Sequence, residues 1–339
     1  ANDLDGEIVG AAGLEGLLAA VLISGAMLTL IGLLRLGSLV RHIPHAVTVG
    51  FTCAIAVTVA ASQLKDFGGL TLKGAEPGAL LPKLAALVQA APTFNAVAFA
   101  VGMSVAAVIF VTRWLRPRWP GMLIAVAGAT IVAFAAHLPI DTIATRFGAI
   151  PSGIPAPRIP SLTWDLVMRA APAALSFTLL GAVESLLSAK VADSMTGRRH
   201  RSNMELIGQG IANIASALFG GICVTGTIAR TATNIRAGAQ SPVAGMLHAA
   251  LLLIFVIIAA PLAGYIPLAA LAGVLVTVAW TMAEKAEFVR LIRAWPSAVV
   301  LLATFGLTLW RDLTVGIIAG CVAAALLAFL GRTTAEEGA

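Results

Sequence analysis

The chain has 339 residues, of which 59% are hydrophobic and 11% charged, and its mean hydropathy is +0.96. Soluble domains run near a quarter charged, so this composition excludes a water-soluble protein of this size; the long apolar runs indicate an all-α polytopic membrane protein, not a β-barrel with short alternating strands. The net charge of +6 sits on loop arginines and lysines, which membrane topology explains without a nucleic-acid partner.

In chain order, apolar length, glycine and proline breaks and flanking charge predict membrane segments at 15–34, 44–64, 94–115 and 120–138. The Pro/Gly-rich loop "IPSGIPAPRIP" follows. Segments at 171–193 and 204–222 come next, then an unusual stretch at 225–237, then 240–262, 266–282, 296–310 and 313–330, eleven in all. "PKLAALVQAA" (82–91) and "AEKAEFVRLIRAW" (283–295) read as amphipathic helices lying at the membrane surface. The opening "ANDLDGEIVG" is acidic and polar, unlike a signal peptide. Cys53, Cys223 and Cys321 lie far apart in apolar runs and read as small core residues. The five histidines are scattered, and no phosphate loop, nucleophile elbow or zinc motif occurs. No catalytic residue, metal site or cofactor is expected, and the chain is not read as an enzyme.

Placing the end after residue 330 in the cytoplasm puts 14 lysines and arginines on the inside and seven on the outside, as the positive-inside rule requires. Of the 22 bases one is then left over, Arg230, and it falls within a segment. An internal repeat accompanies this topology. "IPHAVTVG" from Ile43 and "IPLAALAG" from Ile266 share I-P-x-A-x-x-x-G at an offset of 223. That offset lays 240–262 on the first span, while the partners of 171–193, 204–222 and 225–237 would precede residue 1. The expectation is an inverted-repeat transporter, with interrupted helices near the midplane, whose first three segments are absent from this chain.

The stretch "CVTGTIARTATNIRAG" (223–238) carries the distinctive chemistry. Gly220, Gly221 and Gly226 break any incoming helix, and "TIARTATNIR" can restart as a short one. Its N-terminus would expose free N–H groups and a partial positive charge near mid-bilayer, an attraction for an oxyanion or carboxylate. Small residues at 226 and 227 would let a ligand approach the backbone, and Arg230 would add charge on the same face; the candidate anion-binding stretch is Gly226, Thr227, Ile228, Ala229 and Arg230. The alternative is a threonine-rich packing contact with Arg230 snorkelling to water. Glu184 is the one acid clearly inside a segment, with Ser188 four residues on; it is a candidate to carry a proton or to ligate a cation. The alternative there is a structural pair of Glu184 with Arg230 or with backbone. Ser202 with Glu205 fits a capping box opening the next helix. Gln209 and Asn213, at i and i+4, are expected to hydrogen-bond across helices.

Four stretches resemble the SulP (sulfate permease) family of anion transporters: "LRLGSLVRHIPHAVTVGFTCAIAV…SQLKDFGG", "LLGAVESLLSAKVADSMTGRRHRSNMELIGQGIANIASALFGG", "TGTIARTATNIRAGAQSPVAG" and "AGYIPLAALAGVLVTVAW", together covering most of residues 15–282. The resemblance implies a seven-plus-seven inverted repeat of 14 helices, of which about 11 are present here. It implies a core domain (about 15–37 and 171–262) moving against a gate domain (about 43–138 and 266–330). It makes 225–237 the family's tenth helix, with backbone at Gly226, Thr227 and Ile228 facing the anion and Arg230 at a basic position. It also sets Glu184 at an acidic position of the eighth helix, with Ser188 as the hydroxyl four residues later. Two departures are expected: the first three helices, and the cytoplasmic STAS domain, since only "RTTAEEGA" follows Gly331.

The functional expectation is a secondary active anion transporter of the cytoplasmic (inner) membrane for sulfate, bicarbonate or a dicarboxylate such as fumarate. Coupling would be by proton symport through alternating access, Glu in place of the family's Asp favouring proton over sodium. The partners are a small inorganic or organic anion and the lipid bilayer; a homodimer is compatible with this reading. The rivals are a nucleobase–cation symporter, disfavoured because no aromatic residue lies between Thr178 and Phe219, and an uncoupled anion channel.

Overall fold

The computed structural model describes residues 2–37, 44–72, 74, 76–77, 79–117, 119–148, 153, 155–311 and 313–330, with backbone alone for 2–12, 229, 313 and 314. Ile43, where the first repeat copy begins, and Arg41, Lys73, Arg118 and Arg332 from the charge count lie outside them, as does the tail "RTTAEEGA".

Fourteen α-helices occur among the described residues. They are α1 (Asn2–Leu33), α2 (His45–Phe67), α3 (Leu80–Ala90), α4 (Ala96–Leu115), α5 (Gly121–Ala135), α6 (Ile143–Phe147) and α7 (Trp164–Thr196), followed by α8 (Ser202–Leu218), α9 (Ile228–Arg236), α10 (Val243–Ala263), α11 (Leu268–Met282), α12 (Lys285–Ile292), α13 (Trp295–Trp310) and α14 (Leu313–Phe329). Among the described residues six stretches are long and apolar enough to cross a membrane, and α5, α13 and most of α14 are shorter apolar helices. All eleven expected segments contain helix, and the two stretches expected to lie at the membrane surface, 82–91 and 283–295, are helical as α3 and α12.

The boundaries move for physical reasons. α1 extends back through the polar opening to Asn2, broken at Gly13 (φ +70°). α7 starts at Trp164, not 171: Thr163 caps it by accepting from the Leu166 N–H, and Pro172 sits inside the helix. Membrane helices tolerate an internal proline; the group it frees here is the Met168 carbonyl, four residues back. α8 ends at Leu218, four residues early. Ser202 does not cap α8: the N-cap is Arg201. The Ser202 hydroxyl lies instead 3.0 Å from His200 Nε2, whose Nδ1 is 2.7 Å from Asp193. The five-residue α6 was not expected; Thr142 and Thr145 close a capping box around it.

By packing, the chain divides into two units, 1–43 with 153–253 and 44–152 with 254–339, and the last of the three boundaries falls inside α10. In the first unit, α1 lies against α7 and α8. Leu17, Ala20, Val21, Ala174 and Phe177 form its apolar centre, and buried Thr178 donates to Ser24 at 3.2 Å. α1 meets α8 almost backbone to backbone. A Cβ on Gly210 would stand 2.2 Å from Thr29 Oγ1 and 2.5 Å from the Gly25 carbonyl oxygen, and one on Gly25 would stand 2.7 Å from the Gly210 oxygen. Small residues at such crossings let van der Waals contact hold helices where lipid gives no hydrophobic drive.

In the second unit, α2 packs on α11 and α13, α4 packs on α5 and α11, and α13 packs on α14. The repeat motif has the same local form in both copies. Pro44 and Pro267 are extended N-caps (φ −63°, ψ 143° and φ −64°, ψ 136°) of α2 and α11. Six residues on, a Cβ at Gly50 would meet the Leu301 oxygen at 2.8 Å, and one at Gly273 the Gly102 oxygen at 2.5 Å. Each copy therefore starts a helix at proline and crosses a neighbouring helix at glycine.

The α1–α8 crossing yields a prediction. Gly210→Leu should lower the thermal stability of the purified protein by about 1–3 kcal/mol, the usual cost of overpacking. Gly208→Ala, on the same helix with open space around it, should cost nothing. Equal melting temperatures for wild type and Gly210→Leu in the same detergent would contradict the close crossing.

Candidate functional site

The site lies wholly in the first unit, around the break between α8 and α9. α8 ends because Gly220 takes a left-handed conformation (φ +73°), open to glycine at little cost. The Gly221 N–H then returns to the Ser216 carbonyl at 2.7 Å. Residues 221–227 follow in no regular secondary structure. In a membrane protein such a stretch must have its peptide groups answered by protein.

Side chains of α7 and α8 answer them. Buried Asn213, 0% exposed, grips both sides of Val224: its Oδ1 accepts from the Val224 N–H at 2.9 Å, and its Nδ2 donates to the Val224 carbonyl at 2.9 Å. Gln209 Nε2 donates to the same carbonyl. Ser216 Oγ donates to the Ile222 carbonyl at 2.7 Å. From α7, Ser185 Oγ accepts from the Gly226 N–H at 3.2 Å and donates to Gln209 Oε1 at 3.0 Å. A Cβ on Gly226 would stand 3.0 Å from Ser185 Cα, so glycine allows this approach. Gln209, Asn213 and Ser216 fall at i, i+4 and i+7, one stripe of α8.

α9 begins where this clamp ends. Thr227 occupies the N-cap in an extended conformation (φ −127°, ψ 118°), and its side chain makes no capping bond. Among the described residues, no acceptor takes the N–H groups of Ile228, Ala229 and Arg230. The first turn of α9 therefore presents free donors at the positive end of its dipole. Such a terminus is suited to an anion.

The expected site residues fall as follows. Gly226 is half-buried against Ser185, and Thr227, Ile228 and Arg230 are exposed on the first turn of α9; the Ala229 side chain lies outside the described residues. Glu184 is half-buried on α7, with the Thr225 side chain in hydrogen-bonding reach of its carboxyl. Ser188, 4% exposed, lies one turn below with its hydroxyl 2.8 Å from Thr231 Oγ1. Glu184 and Ser188 thus touch the break and the helix after it, at Thr225 and Thr231. No ion pair joins Glu184 to Arg230 among the described residues, so the alternative of a structural Glu184–Arg230 pair is not what the structure holds. Sequence reasoning expected Gln209 and Asn213 to hydrogen-bond across helices; Gln209 does so, accepting from Ser185 of α7, and both also hold main chain at Val224. It gave no role to Ser185, Ser216 and Thr225; Ser185 bonds both the Gln209 amide oxygen and the Gly226 N–H, and Ser216 bonds the Ile222 carbonyl.

Comparison with known proteins fits this geometry. The model of the sulfate permease family matches residues 8–304. YvdB of Bacillus subtilis (strain 168), provisionally named a sulfate transporter, is 42% identical over 94% of this chain and 59% of its own length. The bicarbonate transporter BicA of Synechocystis sp. (strain ATCC 27184 / PCC 6803 / Kazusa) is 33% identical over 93% of this chain and 55% of its own. The chain thus spans less than two thirds of the length of either relative. The solved transmembrane domain of a cyanobacterial BicA superposes with a TM-score of 0.79 at 29% identity, covering 95% of this chain and 80% of that one. With its apolar membrane-spanning helices, the chain is a multi-pass integral membrane protein and belongs to the sulfate permease family.

Proposed function

We propose that this chain carries the anion-binding half-site of a secondary active transporter in the cytoplasmic membrane. The observation that carries the reading is the uncapped N-terminus of α9, with free N–H groups at Ile228, Ala229 and Arg230 beside the small residue Gly226. An oxyanion or carboxylate accepts from those donors, and the Arg230 guanidinium supplies the compensating charge. The names of the relatives support oxyanions as the class: sulfate for one, bicarbonate for the other. A dicarboxylate such as fumarate presents the same acceptor chemistry.

Glu184 supplies the coupling. Its carboxyl sits beside Thr225, two residues before the N-cap of α9. Ionised, it opposes an anion at the helix start; protonated, it does not. Proton and anion therefore favour each other's binding, a linkage that acts equally in both directions. Ser188, bonded to Thr231 one turn further on, keeps α7 and α9 in register, so that the two ligands travel on one body. In this reading the first unit is the moving core (about 15–37 and 171–262), the second is the gate (about 43–138 and 266–330), and their relative motion gives alternating access.

Two variants test the proposal. Arg230→Ala should weaken anion binding by about 10- to 100-fold, the range for a charge-assisted hydrogen bond, while the purified protein stays monodisperse. Unchanged affinity for sulfate and bicarbonate by calorimetry would remove Arg230 from the site. In proteoliposomes, wild-type uptake should rise as the outside is acidified, and Glu184→Gln should flatten that dependence. If an imposed proton gradient still drives concentrative uptake in Glu184→Gln, the coupling acid lies elsewhere. Labelled uracil serves as the control substrate, and its uptake in place of any anion would point to a nucleobase symporter.

A further inference from the structure

The two ends of the second unit treat their charges differently. At the end bearing the C-terminus of α2, every nearby carboxylate is matched with a base. Glu76 lies 3.5 Å from Lys65 and 3.4 Å from Lys83, and Arg146 lies 3.3 Å from Asp66 and 3.6 Å from Asp141. At the opposite end, where α4 and α11 finish and α12 begins, Arg113, Arg116 and Lys285 have no carboxylate partner among the described residues. Glu287 there is taken by His45, at 3.0 Å, and by Arg290.

Tryptophan marks the same end. Trp114, Trp119, Trp280 and Trp295 are each more than 60% exposed, and tryptophan collects where hydrocarbon meets headgroups. α12 adds exposed Val289 and Ile292 beside Arg290 and Arg293, the pattern of a helix lying in the membrane surface. Between these elements opens a pocket of about 620 Å³. Phe110 and Arg113 of α4 form one wall, and Trp280, Glu284, Lys285 and Glu287 the other. Lys285 Nζ sits 3.0 Å over the Trp280 ring, which holds its charge at the pocket rim. With Glu287 already answered, Arg113 and Lys285 face the lone carboxylate of Glu284.

We propose that this pocket binds the headgroup of an anionic phospholipid. The phosphate lies between Arg113 and Lys285, the glycerol region rests against Trp280, and the first acyl carbons pass over Phe110. Basic pockets between membrane helices at the interface recognise anionic headgroups in this way. The proposal needs the chain to be a membrane protein but does not depend on the anion site of the first unit, so failure of either leaves the other standing.

Native mass spectrometry of the full chain, titrated with phosphatidylglycerol, phosphatidylethanolamine, phosphatidylcholine or inorganic phosphate, tests it. Phosphatidylglycerol should be retained at least tenfold better than either zwitterionic lipid. R113A/K285A should lose about 25-fold in phosphatidylglycerol retention, about fivefold per base, and the charge-preserving R113K/K285R should keep it. Equal retention of anionic and zwitterionic lipids, an unchanged double variant, or displacement of phosphatidylglycerol by equimolar inorganic phosphate would each overturn the proposal. Should R113A/K285A fail to fold, the wild-type headgroup preference decides, together with its fall as ammonium acetate is raised.

Discussion

A peptide group taken from water into hydrocarbon needs a hydrogen-bond partner, and an unanswered one costs several kcal/mol. Helices meet this demand internally; an interrupted helix does not. The stretch 221–227 is non-helical, so its place in a membrane protein rests on what Asn213, Gln209, Ser216 and Ser185 supply. Asn213 is the centre of this arrangement. Its amide is both donor and acceptor, and it closes on the two polar groups of one residue, Val224.

The rest of the candidate site follows from that grip. Because the chain is held non-helical as far as Thr227, α9 starts at Ile228 with its first N–H groups free. Because position 226 is glycine, the segment lies directly on α7 at Ser185. Because α7 passes so close, Glu184 and Ser188, one turn apart, reach Thr225 and Thr231 on either side of the helix start. The clamp depends in turn on where α8 stands, and α8 is set against α1 by the Gly25–Gly210 crossing. Packing, backbone satisfaction and site geometry in the first unit form one dependent series.

Much of this was legible in the sequence, and the remainder was hidden for physical reasons. Apolar run length, with glycine and proline breaks and flanking charge, located ten of the eleven segments, and the glycines at 220, 221 and 226 marked the break before the eleventh, 225–237. Helix ends were less accurate. Pro172 lies next to the expected start at 171, yet a membrane helix tolerates an internal proline and α7 continues back to Trp164. Gly220 ended α8 earlier than hydrophobicity suggested, because backbone conformation outweighs the apolar residues that follow. The polar stripe Gln209–Asn213–Ser216 has a clear helical spacing, but apart from the Ser185 hydroxyl its partners are main-chain carbonyls and amides, which leave no mark on residue identity. Ser188 shows the same gap: its i+4 spacing from Glu184 is real, and its hydroxyl is engaged by Thr231, 43 residues away. The five-residue α6 is too short for any periodicity to reveal.

The central claim is that Asn213 pins a non-helical strand of backbone inside the protein. Amide hydrogen exchange on a peptide spanning 219–227, in the reconstituted protein, measures this most directly. The account predicts slow exchange there in the wild type despite the absence of regular secondary structure, and fast exchange in Asn213→Ala with the peptides of α7 and the first turns of α8 still protected. Fast exchange of 219–227 in the wild type, or equal protection in Asn213→Ala, would contradict it.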